Sequence, residues 1–212
     1  MGIMGKKEYK EACQPEGNYF DKYGSNNPIV KRLMKGYFDS FGKLLGESGI
    51  SRGGYILEAG CGEGHVAAFM QKKIEGVLID AFDISEKVIR EAEEEYSGIH
   101  FFVHNIYDGQ GGKQYDLIVC SEVLEHMEQP KNGIRNLMKN GEKFIFSVPH
   151  EPVWRMMNVA RGKYIRDLGN TPGHIQHFTK KSFYRMLTEC GLEVIQYERP
   201  LPWLMVYCRK IE

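Results

Sequence analysis

The chain has no excess of either charge. Its 212 residues carry 28 Lys and Arg against 28 Asp and Glu, so its net field gives no reason to expect nucleic acid or anionic lipid as a partner. Cysteine is sparse: five residues, at 13, 61, 120, 190 and 208, with no CxxC pair among them. That spacing supports neither a disulfide framework nor a thiolate metal site, and it suits a reducing cytoplasm. No apolar run reaches the roughly 18 residues that span a bilayer, and the opening MGIMGKKEYKEA lacks the apolar stretch of a signal peptide. A cytoplasmic protein with no stable membrane insertion is the expectation. Repeats and low-complexity tracts are absent too, and the longest like-charge run is Glu93 to Glu95.

What is present is the composition of a globular domain, 42% hydrophobic and 26% charged. A chain of this length buries roughly 70% of its unfolded surface without any staple. Val30, Leu33, Met34, Tyr37, Phe38, Phe41, Leu44 and Leu45 recur at three- and four-residue steps, which predicts an amphipathic helix with Pro28 in its first turn. Apolar runs at 55–59, 77–83, 99–104, 115–121 and 143–148 then read as strands, alternating with helical patterns at 65–73, 86–96 and around Ile134, Leu137 and Met138. Such alternation implies a doubly wound, Rossmann-like α/β sheet. Residues 149–178, with three prolines, three histidines and Trp154, interrupt the pattern. Helical order returns at the N-cap Thr179, and 193–198 with 203–208 predict a closing antiparallel hairpin. The chain thus reads as one domain: a helical segment (1–54), a core (55–148), an insertion (149–178), and a closing helix with hairpin (179–212).

The stretch ILEAGCGEGHVA, residues 56–67, ends the first strand and opens a helix. Gly60 permits a sharp turn, Gly62 lets a ligand approach the backbone, and Gly64 lets the helix begin close by, with free N–H groups facing an anionic ligand. A dinucleotide fingerprint would put its third glycine at position 65, which is His65 here; that weighs against a nicotinamide dehydrogenase. Asp83, nineteen residues past Gly64, ends the second strand. Its two carboxylate oxygens can accept two ribose hydroxyls. Asp80 is the competing acid, and Asp83 is preferred because it sits where the strand meets the next helix.

The spacing E-x-G-x-G-x-G from Glu58 resembles the first motif of class I S-adenosylmethionine-dependent methyltransferases. YDLIVCSEVLEHMEQP closely resembles the E-V-L-E-H stretch of the ubiquinone-biosynthesis-type group within that family. The segments YFDKYGSNNPIVKRL, SVPHEP and NTPGHIQHFT look like uncharacterised bacterial and archaeal members. The resemblance implies a mixed seven-stranded sheet with the last strand antiparallel, and S-adenosyl-L-methionine as cofactor. Carried over residue by residue, it implies that Glu58, Gly60, Cys61, Gly62, Gly64, Asp83 and Ile84 bind the cofactor. It places Asn105 and Ile106 near the adenine, Asn105 standing where the family often has an acid. Ser121 and Glu122 fall beside the methionine portion, and His126 faces the acceptor.

Under this reading the enzyme moves a methyl group to a small-molecule acceptor, at oxygen. Alignment alone can supply about 7–11 kcal/mol of such a barrier, and an oxygen nucleophile adds the need for a base. His126, His150, His174 and His177 titrate in the right range, with His126 preferred. A second reading stays open. Glu122, Glu125 and His126 stand at i, i+3 and i+4, one face if helical, and with a further histidine could hold a divalent cation, as in metal-dependent RNA 2′-O-methyltransferases. The assignment made here is no metal and no nucleic acid. A cofactor-holding module without turnover is the remaining alternative. The segment 152–164 reads as a helix packed over the sheet edge or as a lid on an apolar pocket. The lid is preferred, making 149–178 a substrate lid insertion, because it follows the fifth strand near the sheet's carboxyl edge. Tyr19, Tyr23 and Arg32 are candidate cofactor covers.

Overall fold

A computed structural model describes residues 24–108, 111–160, 162, 167–171 and 173–211. Helix α1 (Pro28–Glu47) begins where the sequence signals it: Pro28 occupies the first turn, and the Asn27 side chain accepts the Ile29 N–H at 2.9 Å. There follow β1 (Tyr55–Ala59), α2 (His65–Lys73), β2 (Leu78–Asp83), α3 (Glu86–Glu95), β3 (His100–Val103), β4 (Leu117–Ser121), α4 (Pro130–Leu137), β5 (Lys143–Pro149), α5 (Val153–Ala160), α6 (Lys180–Glu189), β6 (Leu192–Glu198) and β7 (Trp203–Lys210).

The seven strands form one sheet in the order β3-β2-β1-β4-β5-β7-β6. All pairs from β3 to β5 are parallel, and β7 runs antiparallel to both β5 and β6. This is the expected doubly wound mixed sheet. The closing pair is an antiparallel hairpin as predicted, but its second strand lies inside the sheet and its first at the edge. Burial explains the exchange. WLMVYC of β7 is buried at every position, whereas β6 alternates, as suits a strand with one open side.

Two apolar layers sandwich the sheet. One packs α1, α2 and α3 against Ile56, Ile79, Leu117, Val119 and Ile145; the other packs α4 and α6 against Leu57, Ile118, Phe144, Phe146 and Val206. Strand order reverses between β1 and β4, so the loops after these two strands diverge and leave a crevice at their carboxyl ends. The insertion is less irregular than the sequence suggests, because it contains α5. Trp154 of α5 packs on the first layer. Trp154 and Asn158 both hydrogen-bond Thr171, at 2.9 and 3.2 Å, tying α5 to the segment that follows it. Among the described residues no helix is long and apolar enough to cross a membrane.

Candidate active site

The loop after β1 turns back against β2. The N–H groups of Gly60 and Cys61 both donate to the Phe82 carbonyl, at 2.8 and 2.9 Å, and the Gly62 N–H donates to Asp83 Oδ2 at 3.1 Å. The other Asp83 oxygen accepts the Ser85 N–H at 3.0 Å, fixing the carboxylate at the strand end. Gly60 is required twice over: its φ is +74°, and a Cβ there would lie 2.4 Å from Val123 Cγ2. Gly62, at φ +52°, is the opposite case, since an added Cβ would meet nothing within 4 Å. Its backbone therefore stands open at the crevice. Gly64 directly precedes α2.

Glu58 is 1% exposed, and its Oε2 has no hydrogen-bond partner. Burial pushes its carboxyl well above the usual range, the charge of Asp83 adds to this, and the Ala67 N–H opposes it. A buried acceptor of this kind suits a ligand that carries N–H or O–H donors. Cys61 is nearly buried and its thiol is pushed up, by burial first and then by the charges of Glu58 and Asp83, so it is not a nucleophile. Ile84 is 40% exposed, an apolar side chain left open beside Asp83. Asp80, the competing acid, is buried away from the loop and accepts from Tyr55, Tyr115, Lys113 and His100.

At the third strand end the Asn105 side-chain oxygen accepts the Tyr107 N–H at 3.0 Å, an Asx turn that uses one of its lone pairs. Ile106 faces inward onto the second apolar layer. At the fourth, Ser121 and its register partner Ser147 are joined Oγ to Oγ at 2.7 Å. The Tyr37 hydroxyl from α1 reaches both. Sequence reasoning missed Tyr37 and Ser147 as members of the site. The available signal was a hydroxyl on each of two otherwise apolar faces.

The helical condition under which Glu122, Glu125 and His126 would share one face is not met. Glu122 has φ +61°, and only Leu124–His126 form a single 3-10 turn. The left-handed residue breaks the i, i+3, i+4 relation before a helix can start. What gathers instead is Glu125, His126 and His174, whose ligand atoms lie within 4.8 Å of one another. Among the described residues this is the one group able to hold a metal. His126 Nδ1 meets the Gly173 carbonyl at 2.9 Å, which fixes the orientation of the ring. The His126 and His174 rings are 4.9 Å apart, and His174 lies 5.7 Å from the Trp154 ring.

The other two histidines stand apart from this group. His150 is buried and pushed down, by burial and then by Arg199. His177 Nδ1 lies 3.7 Å from Glu151, whose carboxyl burial pushes up. Arg32 is exposed on α1, and Tyr19 and Tyr23 lie outside the described residues.

The family described as "Methyltransferase domain" matches residues 30–197. The ubiquinone biosynthesis O-methyltransferase of Rickettsia canadensis is 28% identical over 92% of this chain and 86% of its own. Magnesium protoporphyrin IX methyltransferase of Synechocystis PCC 6803, solved with bound SAH, superposes with a TM-score of 0.66 at 22% identity, covering 88% of this chain and 89% of that one. A SAM-dependent methyltransferase of Aquifex aeolicus gives 0.66 at 16%, covering 87% and 94%. The chain belongs to the methyltransferase-domain family and is an S-adenosylmethionine-dependent methyltransferase.

Proposed function

We propose that the enzyme methylates an oxygen of a small-molecule acceptor, in the cytoplasm and without nucleic acid as partner. S-adenosyl-L-methionine supplies a methyl group already activated on a sulfonium, so the chain's work is to bind, orient and exclude water. Gly60, Cys61, Gly62 and Gly64 shape the loop. Asp83 offers oxygens to the ribose hydroxyls, Ile84 covers the adenine, and Asn105 with Ile106 borders its edge. Glu58, Ser121 and Glu122 receive the amino-acid end. His126 takes the acceptor's hydroxyl proton through Nε2, its other nitrogen being oriented by the Gly173 carbonyl. Residues 149–178 cover the acceptor, 55–148 hold the cofactor, 179–212 close the sheet, and 1–54 flank it.

The observation that carries the cofactor half is the Gly62 N–H on Asp83, with open space above that glycine. The acceptor half is supported by the names of the O-methyltransferase relatives and by the place of His126 next to the β4 end. The test is label transfer from methyl-labelled cofactor to a panel of phenols, alcohols, amines and carboxylic acids. Label on hydroxyls, lost in His126→Asn, is expected; label on nitrogen alone overturns the oxygen assignment.

A second reading rests on Glu125, His126 and His174. In it the imidazole of His126 binds a divalent cation in place of a proton, and acceptor oxygens such as an RNA 2′-hydroxyl become admissible. Elemental analysis of chelator-treated and reloaded protein decides between the two. Stoichiometric metal that restores activity favours the cation; full activity without metal favours the base.

A further inference from the structure

We propose that Tyr37 is a positioning residue for methyl transfer: its phenol, acting through Ser121, sets the hydrogen-bond donor offered to the amino-acid end of S-adenosylmethionine. The inference rests on the placement of Ser121 beside that end of the cofactor.

The buried face of α1 is otherwise built for packing. Val30, Met34, Phe41, Leu44 and Leu45 fill it, and Tyr37 among them is 0% exposed. A phenylalanine would fill the same space. The Tyr37 ring is held edge-on by Trp203 at 5.0 Å and Phe38 at 5.4 Å, so its oxygen has little freedom. That oxygen meets Ser121 Oγ and lies 3.3 Å from Ser147 Oγ, while the two serines bond each other at 2.7 Å. Three hydroxyls from α1, β4 and β5 thus close a triangle at the carboxyl ends of two adjacent strands.

Proton counting gives the triangle a direction. Each hydroxyl has one proton to donate and two lone pairs to accept with. A phenol is a stronger acid than an alcohol, so Tyr37 is the preferred donor to Ser121. Ser147 is 0% exposed and confined to partners inside the triangle; Ser121 is half-buried, the one serine of the pair with an open side. With both lone pairs of Ser121 engaged by Tyr37 and Ser147, its own proton is left to point into the crevice. A donor there matches the carboxylate of the methionine portion. Without the phenol, the Ser121 proton is divided between Ser147 and the crevice.

Tyr37→Phe removes one oxygen and leaves the two serines paired with each other. The test titrates wild type, Tyr37→Phe, Ser121→Ala and the double variant with two ligands, S-adenosylhomocysteine and methylthioadenosine, which lacks the amino-acid end. Tyr37→Phe is expected to weaken S-adenosylhomocysteine about five- to tenfold, with methylthioadenosine unchanged and the double variant no weaker than Ser121→Ala alone. KM for S-adenosylmethionine should rise by the same factor, with kcat altered less. Should Tyr37→Phe fail to fold, Ser147→Ala tests the same bias: it removes the competing acceptor of the Ser121 proton and should leave S-adenosylhomocysteine affinity undiminished, whereas a loss as large as that of Ser121→Ala would overturn the proposal. Equal weakening of both ligands, additive losses in the double variant, or no loss at all in Tyr37→Phe would also overturn it. If wild type binds neither ligand, the cofactor placement fails instead.

Discussion

Two acids stand three residues apart on β2 and have different roles. Asp80, in mid-strand, is 3% exposed and takes hydrogen bonds from Tyr55, Tyr115 and Lys113, each at 2.8 Å, and from His100 at 2.9 Å. Burial alone would raise its carboxyl, but those four donors outweigh it and hold it at about 2. Asp83, at the strand end, is half-buried and spends its oxygens on two backbone N–H groups of the flanking loops. The first acid is saturated by side chains and serves the fold. The second is held in place by backbone and, in the function proposed above, offers its remaining lone pairs to the ribose. An acid's place along a strand, more than its type, decides which role it takes.

The comparison can be broken most severely at Asp80. Asp80→Ala leaves two phenols without their acceptor and should lower the unfolding free energy by about 3 kcal/mol, the upper range for hydrogen bonds to a charged group. Denaturant titration measures this, and the folded fraction should bind S-adenosylhomocysteine as wild type does. Asp83→Ala should do the reverse. Affinity for S-adenosylhomocysteine falls by about 1–3 kcal/mol by calorimetry, with the denaturation midpoint nearly unmoved. Equal effects of the two substitutions on stability would erase the distinction.

Acid sharpens it further. Because the folded state holds Asp80 below its usual 3.8, its contribution is complete above about pH 4 and is lost as pH falls towards 2. The stability gap between wild type and Asp80→Asn should therefore be constant from pH 7 to about 5 and narrow below about 4. The smallest change is Tyr115→Phe, which removes one of the four donors and should cost about 1 kcal/mol with cofactor affinity intact.

The same contrast explains what could be read from the sequence. The glycine loop, Glu58 and Asp83 were legible because the loop is contiguous and its acid ends the next strand, so spacing encodes their meeting. The hydroxyl triangle was not, since Tyr37 lies 84 residues from Ser121 and 110 from Ser147. The gathering of Glu125, His126 and His174 was obscured for a different reason. The spacing of Glu122, Glu125 and His126 has meaning only if the segment is helical, and the left-handed backbone of Glu122 is one no periodicity reveals. The strand count and the closing hairpin followed from pattern, while the interior place of β7 needed attention to its unbroken apolar run. Local encoding is thus strong in the loop after β1 and weak after β4, where the insertion brings His174 to Glu125 and His126.

That interior strand bears on biosynthesis. β7 is the last of the seven strands to be translated, yet it separates β5 from β6. While the polypeptide is still emerging from the ribosome, β5 has no neighbour on one flank, and its apolar ladder is exposed to any passing strand. Pairing of this half of the sheet therefore waits until β7 has been synthesised, and it is in that interval that a chaperone would be of use to the newborn enzyme.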